Sequence, residues 1–368
     1  MILWLILALI VALALAFVLY FAFAPRIGSN PQGDRLARIQ ASPHYREGKF
    51  RNVVETNMDM PMRIMRKVMW EMLKGGEGRE PKDIIPTLPL DVKAWGAIPD
   101  TSFAVAWFGH SSLLIKIEGI TFLTDPVFGE RASTFSFAGP KRFKYLQHMR
   151  VDLLPLVDVV LLSHDHYDHL DHETIRQLKD KKFIAPLGVG AHLEYWGIPA
   201  SAITERDWWE DVQVGNAKLT LVPSRHFSGR NLTNRFSTLW GSWVMEGRAK
   251  KIYFGADSGY SPSFKEIGER LGPFDLALLE CGAYSAHWAN IHMTPEETAQ
   301  AAVDVQAKVL MPIHWAKFSL ALHPWKEPIE RVSRKAGEIG LPLLTPPIGA
   351  IVTDAELSRS TRWWAGLN

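Results

Sequence analysis

Six consecutive residues, His164-Asp165-His166-Tyr167-Asp168-His169, hold three histidines and two aspartates directly after the apolar run Val157 to Leu162. A continuous apolar run of this length reads as a buried strand, so these polar groups arrive together at a strand mouth. Neutral imidazole and carboxylate are the usual zinc ligands where cysteine is absent. Residues at i and i+2 of an extended turn point the same way, which lets His164 and His166 share one metal. Asp168 and His169 then project toward a second. A lone histidine is more often a satisfied core or surface residue, but three with an intercalated aspartate are hard to explain without metal. Asp165 and Asp171 read most simply as solvated or turn residues.

A two-metal site needs more ligands than this run supplies, and three wait just past later apolar runs. His226 follows Leu219 to Pro223, Asp257 follows Ile252 to Gly255, and His314 follows Val309 to Pro312. Such positions are where a β-scaffold presents site residues on its rim. Other runs read as strands: Phe103 to Phe108, Leu113 to Ile117, Ile120 to Leu123, Lys218 to Val222, Leu239 to Met245, Lys251 to Phe254, Asp275 to Leu279 and Lys308 to Pro312. Helices fall between them. The clearest begins at Thr294-Pro295-Glu296-Glu297, with an N-cap, a first-turn proline and a capping-box glutamate. Strands mixed with helices throughout predict a layered α/β sandwich.

The chain's 368 residues suffice for one catalytic domain of about 250 residues plus extensions. A hydrophobic fraction of 47% with 22% charged residues is that of a folded protein. The net charge of +2, without a dense Lys/Arg block, argues against a nucleic-acid partner. The single cysteine, Cys281, excludes an intramolecular disulfide framework.

The segment 1–24 carries no charged side chain and is long enough to be read as a membrane-spanning helix. The rival reading is a cleaved signal peptide ending at Ala22-Phe23-Ala24. Its apolar run is long for that role, no Lys or Arg precedes it, and Pro25 would follow the cut. Arg26, Arg35 and Arg38 lie after it, so an anchor would place the catalytic domain in the cytoplasm. Residues 25–95 read as an irregular lead-in in which Met60 to Lys74 forms an amphipathic helix. Two fates stand for that helix: packing on the catalytic domain, or lying at a lipid surface. The hydrolase domain is expected over 96–355 and a tail over 356–368.

The order His164-x-His166-x-Asp168-His169, His226, Asp257, His314 resembles the metallo-β-lactamase superfamily signature. Within it the chain looks most like the N-acylphosphatidylethanolamine phospholipase D family and its bacterial relatives. Trp107-Phe108-Gly109-His110, Asp125-Pro126, Gly139-Pro140-Lys141-Arg142, Phe254 to Tyr260, Gly282-Ala283-Tyr284 and Ile313-His314-Trp315 carry that likeness across about residues 100–320. It implies an αββα sandwich holding two zinc ions per protomer. By resemblance, His164, His166 and His226 hold the first zinc. Asp168, His169 and His314 hold the second, and Asp257 bridges them. Asp125 would orient an imidazole or the ligand loop, and His110 would do the same or serve structure. His292 and Tyr167 resemble substrate-contacting positions, with Tyr284 a weaker third. The catalytic set implied is Asp168, Asp257 and His292.

Paired zincs about 3.5–4 Å apart keep an attacking hydroxide ionised near neutral pH. The activity implied first is a phospholipase D-type phosphodiesterase releasing N-acylethanolamine and phosphatidic acid, with phospholipid and membrane as partners. The alternatives are a hydrolase of a soluble substrate such as a phosphorylated sugar lactone, and a metal-binding membrane protein without activity. An oligomer is compatible with the sequence but not derivable from it.

Overall fold

The computed structural model describes residues 1–231, 233–357 and 360–368, and within the first helix the side chains of 1–12, 15 and 20. Before the sheets come α1 (Ile2–Phe23), α2 (Gly33–Ala41), the hairpin β1 (Tyr45–Arg46) and β2 (Lys49–Phe50), α3 (Met62–Lys74) and α4 (Val92–Gly96). The first half of the sandwich contributes β3 (Ala104–Trp107), β4 (Leu113–Ile117), β5 (Ile120–Thr124), β6 (Val159–Leu161), α5 (His172–Gln177), β7 (Lys182–Pro186), α6 (Gly190–Tyr195) and β8 (Ile203–Arg206). The second contributes β9 (Asp211–Val214), β10 (Ala217–Val222), β11 (Ser242–Glu246), β12 (Lys251–Ala256), α7 (Ser263–Leu271), β13 (Leu276–Glu280), α8 (Pro295–Asp304), β14 (Leu310–Ile313) and α9 (Glu327–Glu338). A last strand, β15 (Ile351–Thr353), returns to the first sheet.

The strands form a seven-stranded sheet, β15-β3-β4-β5-β6-β7-β8, and a six-stranded sheet, β14-β13-β12-β11-β10-β9. Alternation along β3 and β4 explains the layering. Val105, Trp107, Leu113 and Ile115 join Trp243, Tyr253 and Leu278 in the core between the sheets. Ala104, Ala106 and Leu114 face outward onto Ile175 of α5 and Leu193 of α6. Side chains of period two buried on both faces require a cover on each side. Phe264 of α7, Ala299 of α8 and Ile329 of α9 join the core from the second sheet's side. The result is the expected αββα order.

β5 and β6 run parallel, as do β12, β13 and β14. β10 is antiparallel to β11 and β11 to β12, so β10 shares the direction of β12. The loops leaving β5, β6, β10, β12, β13 and β14 therefore carry the polar residues met in the sequence. The capping box at Thr294 is formed, with Glu297 returning to the Thr294 backbone.

Among the described residues, no helix is long and apolar enough to cross a membrane. The expected anchor, and the cytoplasm-facing placement derived from it, are thereby overturned. The far end of α1 is tied to the sandwich, where Tyr20 Oη donates to the Thr134 carbonyl at 2.7 Å and stacks on Phe135. At the other end of the chain, Trp364 is buried and its Nε1 donates to Glu330, so this part of the expected tail is packed. Ser358 and Arg359 of that tail lie outside the described residues.

Candidate metal centre

Each donor is placed by a strand end. His164, His166, Asp168 and His169 follow β6, His226 follows β10, Asp257 follows β12 and His314 follows β14. Asp257 is re-aimed by a register shift between Phe254 and Ala256 in β12. His110, Asp125, Ala256 and His314 all adopt positive φ, at 55°, 36°, 47° and 64°. Residues with a Cβ seldom do so, and each such position costs about 1–3 kcal/mol. Their clustering marks the place where the fold stores strain. Gly282 is required nearby, since a Cβ there would lie 2.2 Å from the His314 carbonyl oxygen.

Two sets of donors converge. In one, His164 Nε2 and His226 Nε2 lie 2.9 and 3.2 Å from His166 Nδ1. Asp257 Oδ2 completes it at 3.6 Å from His226 and 3.9 Å from His164. In the other, Asp257 Oδ1 lies 3.1 Å from His314 Nε2 and 3.2 Å from His169 Nε2. Asp168 Oδ2 stands 3.5 and 3.6 Å from the same two nitrogens. Donors about 2.0–2.2 Å from a tetrahedral ion are separated by roughly 3.3–3.5 Å, so each set has the dimensions of one cation's shell. Asp257 offers one oxygen to each.

Proton bookkeeping gives the same result. Ser163 Oγ donates to Asp125 Oδ2 at 2.5 Å, so it accepts from His164 Nδ1 at 2.9 Å. His226 Nδ1 donates to the Ile291 carbonyl at 2.9 Å, and His169 Nδ1 to Asp125 Oδ2 at 2.7 Å. The inward Nε2 of His164 and His226 is then a bare lone pair, whereas burial at His169 is outweighed by Asp257 and Asp168, which raise its pKa well above the ordinary range. His169 Nε2, His314 Nε2 and Asp257 Oδ1 are buried without a hydrogen-bond partner. A buried polar atom left so costs about 1–3 kcal/mol. Burial lowers the His164 and His226 pKa values well below the ordinary range, which keeps them neutral. Burial also opposes charge on His314, but Asp257 and Asp168 outweigh it and raise that group to about 10. The carboxylates thus call for positive charge at this point, and the neutral nitrogens call for it without protons. A cation in each set meets both demands.

The surrounding shell orders these donors. Asp125 is fully buried and accepts from Ser163 N at 2.8 Å as well as from His169, tying the β5 loop to the β6 loop. His110 is buried, with its pKa lowered to about 3 by burial and by His314, and its Nε2 lies 2.9 Å from Asp168 Oδ2. The neutral imidazole therefore donates to that carboxylate. Asp165 was read as a solvated or turn residue, and the structure corrects this. It is fully buried and accepts from His192, Thr238 Oγ1 and the Gly229 amide. Asp171 is also buried, and caps α5 while accepting from Gly129 N at 2.9 Å.

His292 lies beside the donors, 5.1 Å from His226 and 5.2 Å from His314 between ring centroids. Its Nδ1 donates to Glu280 Oε2 at 2.6 Å. Glu280, the last residue of β13, was not singled out in the sequence. The signal was present, an acid closing an apolar strand at the same rim as the other site residues. Tyr167 is not brought to the donors' cavity, because its hydroxyl donates to the Arg230 carbonyl at 2.6 Å and its ring lies 4.1 Å from the Arg230 guanidinium. Tyr284 is likewise directed elsewhere, to Glu327. Asn52, in the lead-in, was also missed. Its side chain donates to the His226 carbonyl at 2.8 Å and accepts from the His226 amide at 3.1 Å.

A cavity of about 460 Å³ opens onto His166, Asp168, His226, Asp257 and His292, and its other walls include Met58, Met60, Met65, Val68 and Met69. Three of these side chains stand on α3, which has no buried residue. Met62, Trp70 and Leu73 of the same helix are exposed.

The beta-lactamase superfamily domain matches residues 121–315. The chain is 41% identical over 332 residues to an uncharacterized protein of Mycobacterium bovis, covering 88% of each. It is 35% identical over 272 residues to the N-acyl-phosphatidylethanolamine-hydrolyzing phospholipase D 1 of Caenorhabditis elegans, covering 70% of this chain and 76% of that one. Among solved structures, Igni18, a metallo hydrolase from the archaeon Ignicoccus hospitalis, shares the fold with a TM-score of 0.51 at 19% identity. That match covers 69% of this chain and 98% of the other. Sequence, fold and donor geometry therefore place the chain in the metallo-β-lactamase superfamily, as a metal-dependent hydrolase with homologues named N-acyl-phosphatidylethanolamine phospholipase D.

Proposed function

We propose that this chain is a phospholipase D-type phosphodiesterase that cleaves N-acylphosphatidylethanolamine-like lipids to N-acylethanolamine and phosphatidic acid. The observation that carries the reading is one continuous cavity shared by the donor sets and by a methionine-rich wall. Unbranched, polarizable methionine side chains suit acyl chains of varied shape. A phosphorylated sugar would leave that wall without a partner. Relatives named for this activity support the choice.

His164, His166, His226 and Asp257 would hold one zinc, and Asp168, His169, His314 and Asp257 the other. When bound, the pair supplies Lewis acidity toward phosphoryl oxygens and lowers the pKa of the attacking water. The chain's own groups do the remaining work. Asp125 and His110 fix the ring of His169 and the carboxylate of Asp168. Glu280 accepts a hydrogen bond from the Nδ1–H of His292, which leaves Nε2 as the nitrogen able to meet the substrate. The methionine wall excludes water around the lipid. The outer face of α3, with Trp70 and Leu73 among Arg63, Arg66, Lys67 and Lys74, suits an anionic lipid surface.

Incubation with a mixed lipid panel and a phosphorylated lactone in ¹⁸O water, read by mass spectrometry, tests the reading. Label should appear in phosphatidic acid alongside free N-acylethanolamine. Opening of the lactone with no lipid product would overturn it.

A further inference from the structure

Arg235 lines the same cavity as His166 and His226, and among the described residues it is the one permanently cationic side chain there. Its guanidinium carbon lies 4.8 Å from the Phe227 ring centroid and 5.6 Å from that of Phe236. The hydrogen bond it makes is to the Met58 sulfur at 3.8 Å, a weak acceptor. Among the described residues no carboxylate lies within ion-pair distance of it. Arg38, Arg248 and Arg331 by contrast each hold a glutamate at 2.6–2.8 Å. Aromatic faces on its flank restrict the side chain and leave its planar donors unspent, which favours recognition of an oxyanion.

We infer that Arg235 is the charge-selecting residue of the site, pairing with an anionic phosphoryl oxygen of the substrate and discriminating against uncharged molecules of the same shape. The inference rests on the phosphodiesterase reading and adds to it. The zinc-binding residues set the reacting centre, whereas Arg235 reads the charge from beside Met58 and Phe227. The residue is exposed, so its replacement leaves the core untouched.

The test compares full-length wild type, Arg235→Gln and Arg235→Lys, each loaded with zinc. Elemental analysis should find the same metal content in all three. Calorimetric titration with dihexanoyl phosphatidic acid should show about tenfold weaker binding in Arg235→Gln, with part of the loss recovered in Arg235→Lys. Titration with dihexanoylglycerol, which lacks the phosphate, should not distinguish the variants. Unchanged phosphatidic acid binding in Arg235→Gln overturns the assignment. An equal loss for dihexanoylglycerol also overturns it, because the side chain would then act by packing. If wild type binds neither lipid, the lipid reading falls, and inorganic phosphate decides the role of Arg235 instead. A dissociation constant for phosphate raised about tenfold by Arg235→Gln upholds it, and an unchanged one rejects it.

Discussion

His292 presents the most informative single side chain, because it touches the donor cluster without belonging to either four-atom set. Its Nδ1 is committed to Glu280, and its ring faces His226 and His314 across about 5 Å. His292→Ala should keep its metal, measured by elemental analysis, while kcat falls by about 10²–10⁴, the usual worth of a positioned acid or base. Loss of metal in this variant would make His292 a ligand and the division of donors wrong. Lys317 permits a prediction on stability. It is fully buried, with its Nζ 3.4 Å from the Phe108 carbonyl, and burial and Arg142 lower its pKa to about 7. Between pH 7 and 10.5 the unfolded chain holds a proton on this lysine that the folded chain has released. Stability tied to it is therefore present above 10.5 and lost as pH falls through 7. Lys317→Met should be the more stable protein at pH 7, by on the order of a few kcal/mol, and the advantage should shrink as pH rises toward 10. Denaturant midpoints across that range check it, and a constant gap would show that the lysine does not titrate there. At this scale the sequence was most legible where side chains cluster locally, as in His164 to His169. Glu280 and Asp165 escaped because their meaning comes from distant partners, His292 in one case and His192 with Thr238 in the other.

Elements were legible in proportion to how apolar they are. β4 was found at its true limits, and the capping box marked the start of α8. β8 and β9, Ile-Thr-Glu-Arg and Asp-Val-Gln-Val, carry edge-strand polarity and gave no comparable signal. The lead-in was the larger surprise, since Asn52 grips both backbone groups of His226 and α3 walls the cavity. The sequence left α3 between packing on the domain and lying at a lipid surface. Its exposed Trp70 and Leu73 favour the second fate on the outer side, while Met65, Val68 and Met69 serve the cavity. A Trp70→Glu, Leu73→Glu variant should melt within a few degrees of wild type, since exposed substitutions shift stability by about 0.5 kcal/mol or less. It should hydrolyse dispersed short-chain lipid normally and vesicle lipid about tenfold more slowly, because two buried apolar contacts with the bilayer are lost. An unchanged ratio of the two rates would remove α3 from lipid contact.

At the scale of the molecule, the donor sets join the two sheets. His164, His166, Asp168 and His169 come from the first sheet, and His226, Asp257 and His314 from the second. Removing the cations should return unpaired carboxylates and lone pairs to a buried seam between the halves. A chelator should lower the melting temperature, and restoring zinc to about 100 times its dissociation constant should recover about 2.7 kcal/mol for each site filled. Calorimetry with and without chelator checks this, and an unchanged transition would mean that the seam holds without metal. The layered α/β class could be read from the alternation of runs, but which loops meet could not. That depends on strand direction, set by the parallel crossovers joining β12, β13 and β14.

Those crossovers also order events in time. β9 to β12 form an antiparallel run, whereas β13 and β14 are added in parallel through crossovers that carry α7 and α8. The donor set of His164, His166, His226 and Asp257 is complete once Asp257 has been synthesised, but its neighbour waits for His314. A growing chain would therefore complete its two donor sets in sequence, the first while Asp257 still has one oxygen unclaimed and before Ile291 is there to accept from His226.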